Sequence, residues 1–280
     1  MIDSPFRVRT MRPEEVPLAV EWAAAEGWNP GLADASCFAA AAPEGFLLGE
    51  LAGEPAATFS VVNYDERFSF VGFYIVRPDL RGRGLGLNIW QAGIARAGSR
   101  AIGLDGVVAQ QENYCKSGFQ FAYNNIRYAG WVAGFDTAPT TVSLTEVPFD
   151  LIARYDATVF PAVRHAFLRG WTAARGHAGR ALIRDGNLAA WGVIRPCRAG
   201  RKIGPLFADD CLAAEAVFAA LVGPVGGQVF IDVPQPNDAA VALATAHGFA
   251  PAFETARMYS APIRPVALER VYGVTTFELG

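Results

Sequence analysis

Residues 68 to 86 carry a strand pattern that runs into three alternate glycines and then into a helix pattern, and no other stretch constrains the fold as tightly. Phe68-Ser69-Phe70-Val71-Gly72-Phe73-Tyr74-Ile75-Val76 is rich in aromatic and β-branched residues, and Pro78, lacking a backbone donor, ends its pairing. A turn must follow. In Arg81-Gly82-Arg83-Gly84-Leu85-Gly86 the glycines allow a tight bend and a close approach of main-chain N–H groups to an anion. Leu87-Asn88-Ile89-Trp90-Gln91-Ala92 then starts a helix whose positive dipole end favours negative charge. The combination suits a pyrophosphate.

Spacing decides which nucleotide. A dinucleotide fingerprint needs G-x-G-x-x-G with an acidic residue about 20 positions on, and a P-loop needs G-x-x-x-x-G-K-[ST]. Gly82, Gly84 and Gly86 fit neither. Val76-x-Pro78-x-x-Arg81-x-x-Gly84-x-Gly86 instead resembles the R/Q-x-x-G-x-G/A signature of the GNAT superfamily of acyl-CoA-dependent N-acetyltransferases. Tyr114-Cys115-Lys116-Ser117-Gly118-Phe119 is similar to the Y-x-x-x-G-F ending of that family's next helix. The plain alternative is an ordinary glycine-rich strand-to-helix turn. The resemblance implies acetyl-CoA as cosubstrate, its pyrophosphate gripped by N–H groups of Arg81, Gly82, Arg83, Gly84, Leu85 and Gly86. It also implies main-chain groups of Tyr74, Ile75 and Val76 facing the pantetheine. Tyr114 would be the general acid; the bland reading of Tyr114 is a ring packed on a helix face.

The chain has 280 residues and a net charge of −3, long enough for two domains that each bury a core and without the basic excess of a nucleic-acid binder. All but two of its 24 basic residues are arginine, Lys116 and Lys202 being the exceptions, which reads as coding bias. Cys37, Cys115, Cys197 and Cys211 lack C-x-x-C spacing and read as reduced thiols, so no metal is expected. Met1 to Pro5 show no charged region ahead of an apolar stretch, and no apolar run is long enough to span a bilayer. The expectation is a soluble, cytoplasmic protein with neither nucleic-acid nor membrane partner.

Gly118-Phe119 with Arg127-Tyr128 recurs as Gly248-Phe249 with Arg257-Met258-Tyr259, an offset of 130 in each case, so the chain reads as duplicated. Gly134 to Thr140 is rich in glycine, proline and small polar residues and suits a linker. Two tandem GNAT-like domains follow, 1–135 catalytic and 141–280 degenerate. Asn237-x-x-Ala240 ahead of Gly248-Phe249 resembles the family helix well. Arg81, Gly84, Gly86 and Tyr114, however, correspond to Cys211, Ala214, Ala216 and Ala244, so CoA binding is expected in the first half alone.

The fold class is α/β, each half a mixed, mostly antiparallel sheet flanked by helices. In the first half the patterns predict strands at Phe6 to Arg9, Phe46 to Leu51, Ala56 to Asn63, Phe68 to Val76 and Ile102 to Leu104. Helices are expected at Pro13 to Glu26, Asp34 to Ala42 and Gly84 to Ala97, with one more carrying Tyr114. The second half repeats strands near Val142 to Thr145, Arg180 to Arg184, Leu188 to Arg195, Lys202 to Leu206 and Gln228 to Val233. Arg270 to Leu279 alternates like a final strand that pairs with one of the sheets.

Acyl transfer from a thioester to an amine needs a held donor, an uncharged nucleophile and a proton for the departing thiolate. Main-chain donors near Val76 are also placed to polarise the thioester carbonyl. Where some relatives carry a glutamate, eleven residues before the loop arginine, this chain has Phe70, so the base is open between Asp105 and Glu112, either of which also reads as a solvated or capping carboxylate. Trp28 and Asn29, between the first two helices, are candidates to bind the acceptor, though the same Gly27-Trp28-Asn29-Pro30-Gly31 turn also suits a buried tryptophan. His165, His177 and His247 form no i,i+4 pair, and Arg164, Arg169 and Arg175 read as a solvated face. The reading is an N-acetyltransferase for a primary amine of a small molecule or amino acid. An acyl-CoA-binding sensor and a peptide or protein N-acetyltransferase are the alternatives.

Overall fold

The computed structural model describes residues 6–136 and 140–280. The first five residues, and part of the expected linker (137–139), lie outside the described residues. The first half runs β1 (Phe6–Thr10), α1 (Val16–Ala25), α2 (Asp34–Ala41), β2 (Phe46–Leu51), β3 (Glu54–Asn63), β4 (Phe68–Val76), α3 (Leu85–Ala97), β5 (Ala101–Val107), α4 (Gln111–Lys116) and β6 (Gln120–Val132). The second runs β7 (Val142–Ser143), α5 (Phe149–Val159), α6 (His165–Ala173), β8 (Ala178–Arg184), β9 (Asn187–Pro196), β10 (Arg201–Ala208), α7 (Cys211–Val222), β11 (Gly227–Pro234), α8 (Asp238–Ala246), β12 (Ala250–Tyr259) and β13 (Val271–Gly273). The mixed sheet flanked by helices agrees with the expected α/β class, while β6 and β12 add two long strands to the expected set.

All strands join one sheet in the order β1-β2-β3-β4-β5-β12-β6-β11-β10-β9-β8-β7, with β13 on β10. The two halves therefore exchange their long late strands: β12 pairs with β5, and β6 pairs with β11. This explains the repeat at Arg127 and Arg257. Arg257 on β12 lies opposite Asp105 on β5, and Arg127 on β6 lies opposite Asp232 on β11. Each arginine grips the aspartate of the other half, through Nε and Nη2 at 2.7 and 2.6 Å for Arg257 and at 2.6 and 2.8 Å for Arg127. Bidentate geometry adds direction as well as strength, so the pairs fix the register of the exchange. The other repeated element, Gly-Phe, closes a helix each time: Phe119 N–H donates to Tyr114 O and Phe249 N–H to Ala244 O, with Gly118 and Gly248 at positive φ.

Alternation along the strands supplies two faces. On β2, Leu47 packs toward α3 while Phe46 and Leu48 join the core beneath α1 and α2. That second core is continuous across both halves, from Phe38 and Phe73 through Trp171 to Trp191 and Phe207. Phe38 stacks on Trp171 with centroids 6.1 Å apart, locking α2 against α6.

The tail departs from expectation. Only Val271–Gly273 is a strand, pairing with β10 at Leu206 and Phe207. From Val274 onward the chain is irregular yet buried, held by Tyr64 Oη donating to Leu279 O (2.7 Å) and by Arg164, which donates to Gly280 O and Thr275 Oγ1 at 2.8 Å each. Arg164 is thus no solvated residue: it is 3% exposed and bonded to Asp156. Its buried neighbourhood is created by the tail, which lies far away in sequence.

Candidate active site

The cleft begins where two parallel strands part. β4 and β5 pair only from Phe68–Val71 to Ala101–Leu104. Beyond them β4 bulges: its register against β3 shifts between Gly72 and Ile75, Phe73 takes φ 49°, and Thr58 Oγ1 donates to Phe73 O at 2.8 Å. An extra residue bends the bulged strand, here away from β5. The opening is a cleft of about 440 Å³, walled by β4, β5, the glycine loop and the second half.

At one end of this cleft lies the glycine loop. Gly82 and Gly84 adopt φ of 75° and 79°, left-handed values that carry strain for any residue with a Cβ. α3 starts at Leu85 with no side-chain cap, and Asn88 N–H is already engaged with Gly84 O. The N–H groups of Leu85, Gly86 and Leu87 precede the first helical bond and are left for an anion. Gly86 must be small for another reason, since a Cβ there would lie 2.8 Å from the Tyr74 hydroxyl. Arg81, Gly82, Gly84, Leu85 and Gly86 line the cleft; Arg83 is exposed and does not. Arg81 pairs with Glu26 and donates through Nε to Val76 O at 3.0 Å. That carbonyl is therefore occupied, and what Tyr74, Ile75 and Val76 present to the cleft is the remainder of an unpaired strand edge.

Tyr114 stands on the opposite wall. It is 8% exposed, Trp90 tilts against it at 5.6 Å, and Gly106 on β5 makes room, for a Cβ there would lie 2.3 Å from the ring. Its hydroxyl forms no hydrogen bond among the described residues, and its ring borders the cleft. Burial pushes the phenol upward, so it holds its proton at neutral pH.

Three expected roles meet a different geometry. Asp105 lines the cleft, but its side chain is 0% exposed, takes both Arg257 bonds, and accepts from Asn125 Nδ2 at 2.8 Å. Burial raises this carboxyl while Arg257 and Asn125 act against the rise. Both oxygens are engaged in a cross-strand clasp, because its partner arrives on a strand from the other half. Glu112 is exposed and off the cleft. Asn29 is also committed elsewhere: Nδ2 donates to Ala199 O and Oδ1 accepts from Ala199 N, both at 3.0 Å, tying its turn to the loop after β9. Trp28 does line the cleft, and its carbonyl accepts from Arg127 Nη1 at 2.7 Å.

The second half supplies residues that motif reading missed: Phe253 and Thr255 from β12, and Phe277 and Glu278 from the tail. Glu278 lies directly against the bulge, since a Cβ on Gly72 would be 2.2 Å from Glu278 O. The apolar alternation of the tail signalled burial, but nothing local indicated which pocket it enters.

The equivalent opening in the second half is filled. β10 and β11 pair only from Arg201–Ile203 to Val229–Ile231. β13 then lies beside β10, and Val274 N–H donates to Asp232 O at 2.8 Å. α7 is capped by Asp210, whose carboxylate accepts from Ala213 N at 2.8 Å, placing negative charge where a pyrophosphate would sit. Asn237 caps α8 and donates to Val271 O at 3.0 Å, holding this plug. Among the described residues no group of acidic, histidine or cysteine side chains is arranged to hold a metal, and no helix is long and apolar enough to cross a membrane.

Comparison with known proteins fits this geometry. Residues 11–119 match the acetyltransferase (GNAT) family and residues 152–273 match an acetyltransferase (GNAT) domain. Holothin acyltransferase from Pseudoalteromonas sp. (strain SANK 73390) is 33% identical over 271 residues, spanning 95% of this chain and 92% of the relative. Among solved structures, a Pyrococcus horikoshii protein provisionally assigned as an acetyltransferase superposes with a TM-score of 0.85 at 20% identity, over 98% of this chain and 96% of its own. A tandem GNAT protein from the clavulanic acid biosynthesis pathway superposes with a TM-score of 0.64 at 14% identity, over 92% and 99%. The chain belongs to the GNAT acyltransferase family and carries two GNAT domains in tandem.

Proposed function

We infer that the protein transfers an acetyl group from acetyl-CoA to a primary amine of a small molecule, using a single site in the first half. One observation carries this reading: the cleft between β4 and β5 has free helix N–H groups at one end and an unbonded, protonated tyrosine hydroxyl beside its strand walls. The loop from Arg81 to Gly86 would hold the pyrophosphate, and the free edge of β4 from Gly72 to Val76 would align the pantetheine arm. Tyr114 would pass its proton to the departing sulfur, a contribution of roughly 10²–10⁴-fold for a well-placed acid. Trp28, Phe253 and Phe277 wall the acceptor end with aromatic rings contributed by both halves, which favours an enclosed small molecule over an extended peptide. The relative named for holothin as its acceptor supports the same class. The plugged second-half opening supports one CoA site per chain, with the second half shaping the acceptor wall.

The test is a screen of amines with acetyl-CoA, reading free thiol, in the wild type and Tyr114→Phe. The reading expects amine-dependent thiol release that falls at least about 100-fold in the variant while acetyl-CoA affinity holds. Unchanged turnover would remove Tyr114 from its role, and no amine-dependent release from the wild type would remove the reaction.

A further inference from the structure

The tail carries a buried carboxyl that no hydrogen bond in the protein holds. Glu278 is 2% exposed, and its Oε1 is shut away from solvent without a hydrogen-bond partner. Among the described residues its side chain forms neither a hydrogen bond nor an ion pair. A buried carboxyl in this condition is costly, by several kcal/mol if ionised, unless something else completes it. Its position is specific. Glu278 borders the cleft and packs its own carbonyl on Gly72, beside the Phe73 bulge where β4 and β5 part. Its main chain thus abuts the strand edge that would align the thioester.

We propose that Glu278 receives the ammonium of the acceptor and takes its proton, so that the tail of the second half completes the catalytic site of the first. This rests on the amine-acylation reading above. One proton passes from the ammonium nitrogen to Glu278, and the freed lone pair forms the C–N bond at the thioester carbonyl carbon. The C–S bond breaks as Tyr114 protonates the sulfur, the extra proton on the new amide nitrogen returns to the Tyr114 oxygen, and Glu278 gives up its own to the water that refills the cleft after the products leave. Nothing is oxidised or reduced.

The surroundings make this carboxyl a stronger base. Burial, the largest influence, and Asp34 on α2 raise the carboxyl, while Lys202 on β10, Arg127 on β6 and Arg195 on β9 act against the rise without cancelling it. Arg127 is bonded to Asp232 and Arg195 to Asp34, while Lys202 forms no ion pair among the described residues and is drawn to Asp232 and Glu278 alike, so Glu278 is the carboxyl of this group that no hydrogen bond fixes. A carboxyl raised by burial, with an oxygen that no hydrogen bond holds, is a group able to accept a proton from a guest at the cleft wall.

Glu278→Gln and Glu278→Asp in the full chain test the idea, with acetyl-CoA as donor and two nucleophiles: the best alkylamine from the thiol-release screen, and aniline, whose nitrogen is unprotonated at neutral pH. For the alkylamine, the Gln variant should lose roughly 100-fold in kcat/KM, with the Asp variant recovering part of it. The acidic limb of the wild-type pH profile should disappear in the Gln variant. Aniline acylation should change by less than about 5-fold, and calorimetric acetyl-CoA affinity by less than about 2-fold. Equal losses with both nucleophiles, or a loss of acetyl-CoA affinity, would overturn the proposal by giving Glu278 a purely structural role. A Gln variant as active as wild type with the alkylamine would overturn it while leaving the reaction standing. A wild type that acylates no amine would remove both.

Discussion

Asp105 provides the sharpest separation between structure and catalysis. Its carboxylate is fully enclosed and joined to Arg257 by two bonds of 2.6 and 2.7 Å, across the junction where a strand of one half enters the other. Removing one partner of a buried ion pair strands the other charge and costs about 3–5 kcal/mol. For a 280-residue chain with an unfolding entropy of about 2.1 cal/mol/K per residue, that is a fall in Tm of about 5–9 °C. Asp105→Leu should show this loss in urea and thermal unfolding followed by circular dichroism. Adding Arg257→Met removes the stranded cation, and the double variant should recover to within about 2 kcal/mol of wild type, because an apolar replacement of both partners is often close to neutral. At temperatures where the single variant is folded, its acyl transfer should stay within about 5-fold of wild type, against the 10²–10⁴-fold expected from losing a base. A single variant that is as stable as wild type yet nearly inactive would refute the clasp and return Asp105 to catalysis.

Gly84→Ala places a Cβ at φ 79° beside the anion site, and should raise the KM for acetyl-CoA about 10-fold or more with a smaller change in kcat, read by thiol release. Asn29→Ala removes both bonds to Ala199 and should cost about 1–3 kcal/mol in urea unfolding, with the amine KM shifted less than about 3-fold. His177 should make the fold acid-sensitive. Its Nδ1 is within 2.9 Å of Trp171 O, its Nε2 has no hydrogen-bond partner, and burial lowers its pKa from 6.5 to about 4. The unfolded chain binds a proton below pH 6.5 that the folded chain refuses, so the contribution is present above that pH and lost on the way down to about 4. The loss amounts to about 3 kcal/mol relative to His177→Asn in urea unfolding between pH 7.5 and 4.

Legibility from sequence followed the range of the interactions. The loop from Arg81 to Gly86 was readable because strand, proline, left-handed glycines and helix are all local requirements, and they recur in the structure at the places their chemistry demanded. The same holds for the Gly-Phe helix endings at 118–119 and 248–249. The repeated arginines were visible as a spacing, yet their meaning was not, because each partner lies more than 100 residues away in the opposite half. β6 and β12 do not read as strands for the same reason: polar pairs such as Asn124-Asn125 and a buried arginine break the apolar alternation, and only a partner strand makes them reasonable. Glu278 is the extreme case. A glutamate between Phe277 and Leu279 reads as the outward residue of an alternating strand, whereas the tail leaves the sheet after Gly273 and turns that side chain inward.

A crystal of the full chain grown with acetyl-CoA addresses the central claim directly. The account predicts one CoA per chain, its diphosphate within hydrogen-bond distance of main-chain N–H groups between Gly82 and Leu87, and its thioester at the Gly72–Phe73 bulge facing Tyr114. Density for the nucleotide between β10 and β11, or a glycine loop that makes no contact with the phosphates, would contradict it.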